Sequence, residues 1–178
     1  LYLMSVTLFR DLSMYKKRAQ YYLINRKYVD DIPLNNGDDV LGTVIFLKIP
    51  EAEEVLQSFA LAKGALSNAL TSKMQTFIQN EEYAKAEEVS ELIELIDNLN
   101  ELEEKFKTIS VAYVLSAIEM RGDLEIDIKS TALDLMEAIE SAFLKSIPYL
   151  DDVGDLGKII DNMRFSVEKL KGRIKGSK

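Results

Sequence analysis

The sequence contains no cysteine and no histidine, and these two absences exclude much of enzyme chemistry. Without cysteine there are no disulfides, no thiolate metal ligands and no thiol nucleophile. Without histidine the chain lacks the usual general base and the commonest ligand for transition metals. The chemistry that remains would use carboxylates, Lys, Arg, Ser or Tyr, most simply through an oxygen-bound cation such as Mg²⁺. We therefore assign no catalytic, cofactor-binding or metal-binding residue and expect a non-enzymatic protein.

Glycine and proline are also scarce, with 8 Gly and 3 Pro in 178 residues, so few positions interrupt regular structure. With 47% hydrophobic and 29% charged residues, the chain has the composition of a folded protein rather than a disordered one. Its length suits a single helical domain over residues 1–178.

No apolar run approaches the roughly 20 residues that a membrane-spanning helix needs. The run at residues 40–49 is too short and is interrupted by Gly42 and Lys48. The apolar start, residues 1–9, has no basic stretch before it and no small-residue cleavage site after it, so we expect no signal peptide, no membrane and a cytoplasmic protein. Because the chain begins with Leu1, the sequence leaves open whether residues precede it.

The spacing of apolar residues predicts an all-α protein, an antiparallel helical bundle of five to seven helices with one or two long helices. A basic N-terminal helix over residues 5–28 ends at a cluster of turn-forming residues, an acidic helical core covers residues 50–147, and a C-terminal helix covers residues 155–175. Residues 40–48 fit either a buried strand or a short helix. The C-terminal helix has the narrow apolar seam of a coiled coil: Leu156, Ile160, Met163, Val167, Leu170 and Ile174.

The longest apolar pattern runs from Tyr83 to Tyr113. It predicts one helix of about 40 residues, or two nearly collinear ones, capped by Asn80, with a kink at the β-branched residues 108–111 and an end at Gly122. The helical pattern resumes after Gly122 and Asp123, with Thr131 and Asp134 as a capping pair. A helix of about 40 residues would extend roughly 60 Å, beyond a compact domain of this size. Either it breaks or a second subunit covers it, and we expect a homodimer or a higher oligomer.

Charge is distributed unevenly, because the two ends are basic and the middle is acidic. Residues 1–27 and 158–178 each carry a net charge of +5, while residues 28–157 carry −18, so the chain carries −8. The candidate basic surface comprises eight residues: Lys16, Lys17, Arg18, Arg26, Lys27, Lys169, Lys171 and Arg173. Tyrosines interleave with the basic residues near the N-terminus, as in proteins that bind single-stranded nucleic acid, but a pI of about 4.7 argues against that partner. The alternative is that both ends pair with acidic helices.

A ladder of acidic residues recurs every three positions and would share one face of a helix: Glu88, Glu91, Glu94 and Asp97. With Glu87, the ladder resembles the carboxylate helices of all-α nucleotide pyrophosphohydrolases, and this resemblance implies Mg²⁺-dependent hydrolysis. In that family the acids that bind Mg²⁺ come from neighbouring helices. In this chain the acids of a second helix would have to be Asp123, Glu125 and Asp127. The alternative is a solvated helix face without a metal, because carboxylates on one exposed face do not surround an octahedral ion.

The same stretch has a second short likeness, carried by seven residues: Tyr83, Lys85, Ala86, Glu88, Val89, Glu91 and Ile93. They resemble the first helix of the small helical-hairpin motif of bacterial excinuclease subunits and related adaptor proteins, which implies a role in protein interaction. The chain has Ser90 where that motif usually carries Arg.

These features predict a non-enzymatic interaction or scaffold protein that associates with itself, with another protein as the other expected partner. Two alternatives stay open. One is an anion or nucleic-acid binder that uses the basic N- and C-terminal helices, and the other is a carboxylate- and Mg²⁺-dependent phosphohydrolase that uses the ladder.

Overall fold

The computed structural model of the protein describes residues 2–30, 49–118 and 124–176. These ranges form six α-helices and a short 3-10 helix: α1 (Tyr2–Asn25), α2 (Pro50–Gln79), α3 (Tyr83–Asp97), α4 (Asn100–Ile118), α5 (Glu125–Ser146), the 3-10 helix (Ile147–Tyr149) and α6 (Gly154–Gly176). They contain no strand, and the helices pack on one another, which confirms the predicted all-α bundle. Residues 40–48, which the sequence leaves between helix and strand, lie outside the described ranges.

α5 is the central helix, because it packs against α2, α3, α4 and α6. Its buried residues include Leu135, Ile139 and Ala142, which the apolar spacing places on the inner face. α2 also packs against α3 and α6, whereas α1 packs against α4. Within the described ranges, every helix falls short of the length and apolar character that crossing a membrane requires.

α2 and α6 form an antiparallel pair. α2 starts at Pro50, with acidic residues in its first turn where the helix dipole favours them. Three side-chain contacts join the two helices in reverse order: Glu51 to Arg173, Glu54 to Lys169, and Ser58 to Ser166. All six residues of the α6 apolar seam are buried. The seam therefore packs inside this chain.

The predicted long helix is broken, and the position predicted for its kink is wrong. α3 ends at Asp97, α4 starts at Asn100 and continues without interruption through residues 108–111. The break falls at the asparagines Asn98 and Asn100, whose side chains compete with helical hydrogen bonds, while the β-branched residues stay helical because they are buried. After the break, α3 packs on α2 and α5 whereas α4 packs on α1 and α5. The apolar pattern is thus covered within one chain.

Two predicted helix caps, Asn80 and Thr131, are also wrong, although α5 does start soon after Asp123. Asn80 ends α2 instead of capping α3, and Glu81 follows it in the left-handed region with φ 61°. The backbone N–H of Glu82 donates to the Phe77 carbonyl at 2.8 Å, which closes the turn in the manner of a Schellman motif. Thr131 lies inside α5, where its hydroxyl donates to the Asp127 carbonyl at 2.8 Å.

Candidate interaction surfaces

α1 and the residues just after it contact two carboxylates of the bundle. The first half of this contact is centred on Glu104 of α4. The Tyr15 hydroxyl donates to Glu104 Oε2 at 2.5 Å, and Arg18 Nη1 lies 3.4 Å from the same oxygen. Arg18 is 8% exposed, and its Nη2 donates to the Asp30 carbonyl at 2.7 Å. Its guanidinium also lies over the Tyr15 ring, 5.6 Å from the ring centre. Arg18 is therefore part of a helix contact rather than of a free basic surface.

The second half is a similar arrangement on Asp127 of α5, with the tyrosine seven and the arginine eight residues further along the chain. The Tyr22 hydroxyl donates to Asp127 Oδ2 at 2.8 Å, and Arg26 Nη1 lies 3.9 Å from that oxygen. Burial, and then the hydrogen bond to Asp127, raise the pKa of Tyr22 to about 12. Arg26 has φ 54° and follows the last residue of α1, so the helix ends earlier than the predicted residue 28. We call the two arrangements the Tyr15–Arg18 clamp and the Tyr22–Arg26 clamp.

At and near the contact between α1 and α4, three buried polar atoms have no hydrogen-bond partner among the residues that the structure describes. These atoms are Arg18 Nε, Tyr28 Oη and Thr108 Oγ1. Burial raises the pKa of Tyr28, and the carboxylates of Glu104 and Glu101 add to the effect. The region is thus polar as well as buried, unlike the apolar packing around α5.

Most of the candidate basic residues are paired with carboxylates. Besides Arg18 of α1 and Arg26 just after it, three residues of α6 form pairs: Lys169 with Glu54, Lys171 with Glu168, and Arg173 with Glu51. Lys171 also lines an open cavity of about 300 Å³ with Lys129, Glu168 and Gly172. Lys16 and Lys17 are half-buried on α1, and Lys27 is exposed after it. Four of the eight basic residues therefore contact acidic side chains of another helix, and Lys171 pairs within α6. This agrees with the pairing that the charge distribution offers as an alternative to nucleic-acid binding.

The acidic ladder Glu88, Glu91, Glu94 and Asp97 lies on the exposed side of α3. Glu88 accepts a hydrogen bond from the Tyr149 hydroxyl at 2.7 Å, and this bond raises the pKa of Tyr149. Asp127, a possible second-helix ligand by sequence, is held by the Tyr22–Arg26 clamp, and Asp123 lies outside the described ranges. In the described part of the chain, no three acidic side chains are grouped so that they could hold a metal ion.

The outer side of α2 is free of charge. Every exposed residue between Gln57 and Gln79 is uncharged. The two lysines of this stretch turn to neighbouring elements, where Lys63 contacts Asn100 and Glu103 and Lys73 contacts Asp151. Six uncharged, exposed residues that share one side of α2 form what we call the neutral face: Gln57, Ala60, Leu61, Gly64, Asn68 and Gln75. At 1.5 Å per residue the neutral face is about 27 Å long.

Two large apolar side chains lie at the neutral face. Leu61 is 59% exposed, and Phe165 of α6 is 65% exposed. Phe165 lies at the level of the neutral face because its neighbour Ser166 bonds to Ser58 of α2 at 2.9 Å. Lys169 Nζ lies 5.3 Å from the centre of the Phe165 ring, so a charged residue borders Phe165, whereas Leu61 has only uncharged exposed neighbours on α2. An uncharged centre with exposed apolar area is typical of a protein interface.

Sequence reasoning missed the neutral face because apolar periodicity identifies the buried side of α2, not its outer side. The signal was nevertheless present in the sequence. Residues 55–80 contain only two charged residues, Lys63 and Lys73, although charged residues make up 29% of the chain.

No protein-family model, no curated protein and no solved structure matches this chain. Function is therefore argued from the surfaces themselves.

Proposed function

We propose that the protein is a non-enzymatic interaction or scaffold protein that associates with a second copy of itself through the neutral face of α2. The observation that carries the proposal is the exposed, uncharged side of α2 in a chain whose net charge is −8. Leu61 and Phe165 supply exposed apolar area at the same place.

Charge explains why this face suits a second copy. Two copies of a protein with a net charge of −8 repel each other over most of their surfaces. A two-fold interface places the same surface patch against itself, so a charged patch would oppose its own sign. The neutral face avoids this cost, and depletion of charge is the compositional feature that distinguishes interface centres from other surfaces.

Self-association no longer rests on the long apolar pattern from Tyr83 to Tyr113. The break at Asn98 lets α3 and α4 bury that pattern inside one chain, where Val89, Ile96 and Phe106 are all at 0% exposure. The surface available to a partner is therefore the outer side of α2.

The two alternative functions gain no specific support from the described residues. The arginines of the candidate basic surface are engaged by Glu51, Glu104 and Asp127. The acidic ladder lies on one helix, and no three acidic side chains among the described residues are grouped so that they could hold a metal ion.

The test is the mass of the protein after charge has been placed on the neutral face. Light scattering and sedimentation velocity at micromolar concentration should show the parent chain as a dimer or larger. Ala60→Lys combined with Asn68→Lys should shift it to a monomer, because the four lysines of a dimer would then meet at the contact.

Ala84→Lys combined with Ser90→Lys is the matched control, since both residues are exposed on α3 and the change in net charge is the same. This control should keep the mass of the parent. A monomeric parent chain, or equal loss of association in both double variants, would refute the proposal.

A further inference from the structure

We propose that Gly64 is the point at which the α2 helices of two copies cross, and that this glycine determines which helix fits against the neutral face. The inference rests on the proposed self-association through that face. It adds the residue that sets how closely and at what angle the two helices meet, and hence the specificity of the contact for a second copy of this chain.

Gly64 is not required by the packing of a single chain. It lies at the middle of the 30-residue helix α2, where glycine is less favourable than alanine. Its position is exposed, its φ lies outside the left-handed region, and a Cβ atom added to it would have nothing within 4 Å apart from its own stretch of helix. A second helix that approaches the backbone closely would give this glycine a role.

The neighbours of Gly64 suit such an approach. Ala60 and Asn68 lie one turn before and one turn after it, and both are short, uncharged and exposed. Gln57 and Leu61 form the next row of residues spaced by four, and Leu61 is 59% exposed. Rows with this spacing interdigitate when two helices cross at about 50°, the commonest packing in globular proteins. Leu61 of each copy would then pack beside Gly64 of the other.

The charges at the two ends of α2 favour a crossing over a side-by-side pair. Glu53 and Glu54 precede the neutral face, and Glu81 and Glu82 follow it. In a parallel pair each acid would face its own copy, and in an antiparallel pair with overlapping neutral faces the acids of opposite ends would lie close together.

A crossing at Gly64 keeps these acids apart. Glu54 lies ten residues from Gly64, which is about 15 Å along the helix. At that distance two helices that cross at about 50° are already about 13 Å apart sideways. This separation exceeds the Debye length of about 8 Å at physiological ionic strength, so salt screens most of the repulsion between exposed acids.

The first test adds bulk without charge at the proposed crossing. Sedimentation velocity of the full chain should show that Gly64→Gln raises the dissociation constant of the dimer at least about tenfold, because the new side chains would hold the two backbones apart. Gly172→Gln is the matched control, since an added Cβ atom there also has nothing within 4 Å, but Gly172 lies on α6 beside Lys129. This control should leave the dissociation constant unchanged. Circular dichroism should show that both variants keep their helix content, since glutamine is a better helix former than glycine.

The second test uses the absence of cysteine from the chain. A disulfide requires Cα atoms no more than about 7 Å apart, a distance that is reached at a crossing. Gly64→Cys should therefore form a disulfide-linked dimer under mild oxidation. Gln75→Cys should not, because Gln75 lies eleven residues, or about 17 Å, farther along the neutral face.

Failure of this inference can be distinguished from failure of the proposed function. A monomeric parent chain would refute both. A dimer that is lost in the Ala60→Lys, Asn68→Lys variant but keeps its dissociation constant in Gly64→Gln would overturn only the crossing. Equal weakening by Gly64→Gln and Gly172→Gln, equal crosslinking through Gly64→Cys and Gln75→Cys, or no crosslinking through Gly64→Cys would also overturn it.

Discussion

α1 and α6 are basic helices of 24 and 23 residues near the two ends of the chain, but the bundle holds them in different ways. α6 inserts an apolar seam and keeps its charged residues at the rim, where Arg173 and Lys169 are 56% and 47% exposed. α1 instead buries a charged residue where it packs against α4, because the Arg18 side chain is only 9% exposed. Both helices pair with acidic helices, yet Arg18 of α1 is the one charged residue that is buried among the described residues.

The difference concerns how much a charged residue contributes to stability. That contribution depends more on whether the residue lies inside or beside the buried stripe of its helix than on the sign or number of the charges. Exposed ion pairs contribute about 0–1 kcal/mol each and are screened by salt. Charged groups inside a contact have lost their water, so removing one partner has a larger cost than an exposed pair would suggest. We therefore expect the packing of α6 to change little with ionic strength, because its salt-sensitive exposed pairs each contribute little, and we expect the packing of α1 to depend on individual polar groups.

The largest effect should come from the seam of α6. Leu170 is at 0% exposure, so Leu170→Ala should lower the free energy of unfolding by about 3 kcal/mol through lost burial and the cavity left behind. Because the loss is apolar, urea unfolding followed by circular dichroism should give the same value at low and at high salt.

Leu144→Ala is the matched control for this prediction, because Leu144 in α5 is 58% exposed. Leu144→Ala should lower the free energy of unfolding by much less than Leu170→Ala does. A strong salt dependence of the Leu170→Ala cost would contradict the view that α6 is held by apolar packing.

An intermediate effect is expected at Tyr22 of α1. Tyr22→Phe removes the hydrogen bond to Asp127 and should cost about 1 kcal/mol near neutral pH. Hydrogen exchange at the amides of α1 should report the loss, with little change at α6. Tyr21→Phe is the matched control, since Tyr21 is the neighbouring residue and is 38% exposed.

The contribution of Tyr22 should also depend on pH in a defined direction. Burial and Asp127 raise its pKa from 10.0 to about 12 in the folded protein, because both disfavour the phenolate. As the pH rises, the unfolded chain loses this proton first, so the contribution is complete below about pH 10 and is lost between about pH 10 and 12. The stability difference between the parent and Tyr22→Phe should narrow over that interval. A difference that stays constant up to pH 12 would contradict this assignment.

Much of the fold was predictable because apolar spacing directly reports burial. The seam of α6 and the start of α2 at Pro50 follow from local rules, and both are found where the sequence places them. The break after Asp97 was not predictable from periodicity, because the apolar phase continues unchanged across it. Only the packing of α3 and α4 on different neighbours makes a break favourable, and such contacts are not visible in a pattern of three and four residues.

The surfaces were predictable to a smaller extent. The unequal charge of the ends and the middle correctly indicated that basic residues meet acidic helices, but it did not separate Arg18 from Arg173. The sequence does not distinguish these two arginines, although the side chain of Arg18 is 9% exposed and that of Arg173 is 56% exposed. The repeat of tyrosine and arginine at residues 15–26 was visible as aromatic residues among basic ones. Its meaning required the positions of Glu104 and Asp127, which lie far away in the chain.

The smallest effect should come from Arg173, and it gives the sharpest contrast with Arg18. Arg173→Gln breaks an exposed pair with Glu51 and should cost about 0–1 kcal/mol at low salt and almost nothing at high salt. The same change at Arg18 should cost more and keep much of its cost at high salt, because Glu104 and Tyr15 would lose a buried partner. Deleting residues 171–178 would not isolate the charge, since Ile174 is at 0% exposure and its packing would be lost as well. Urea titrations of both single variants at two salt concentrations provide the measurement, and equal, salt-independent costs at the two arginines would show that α1 and α6 are held in the same way after all.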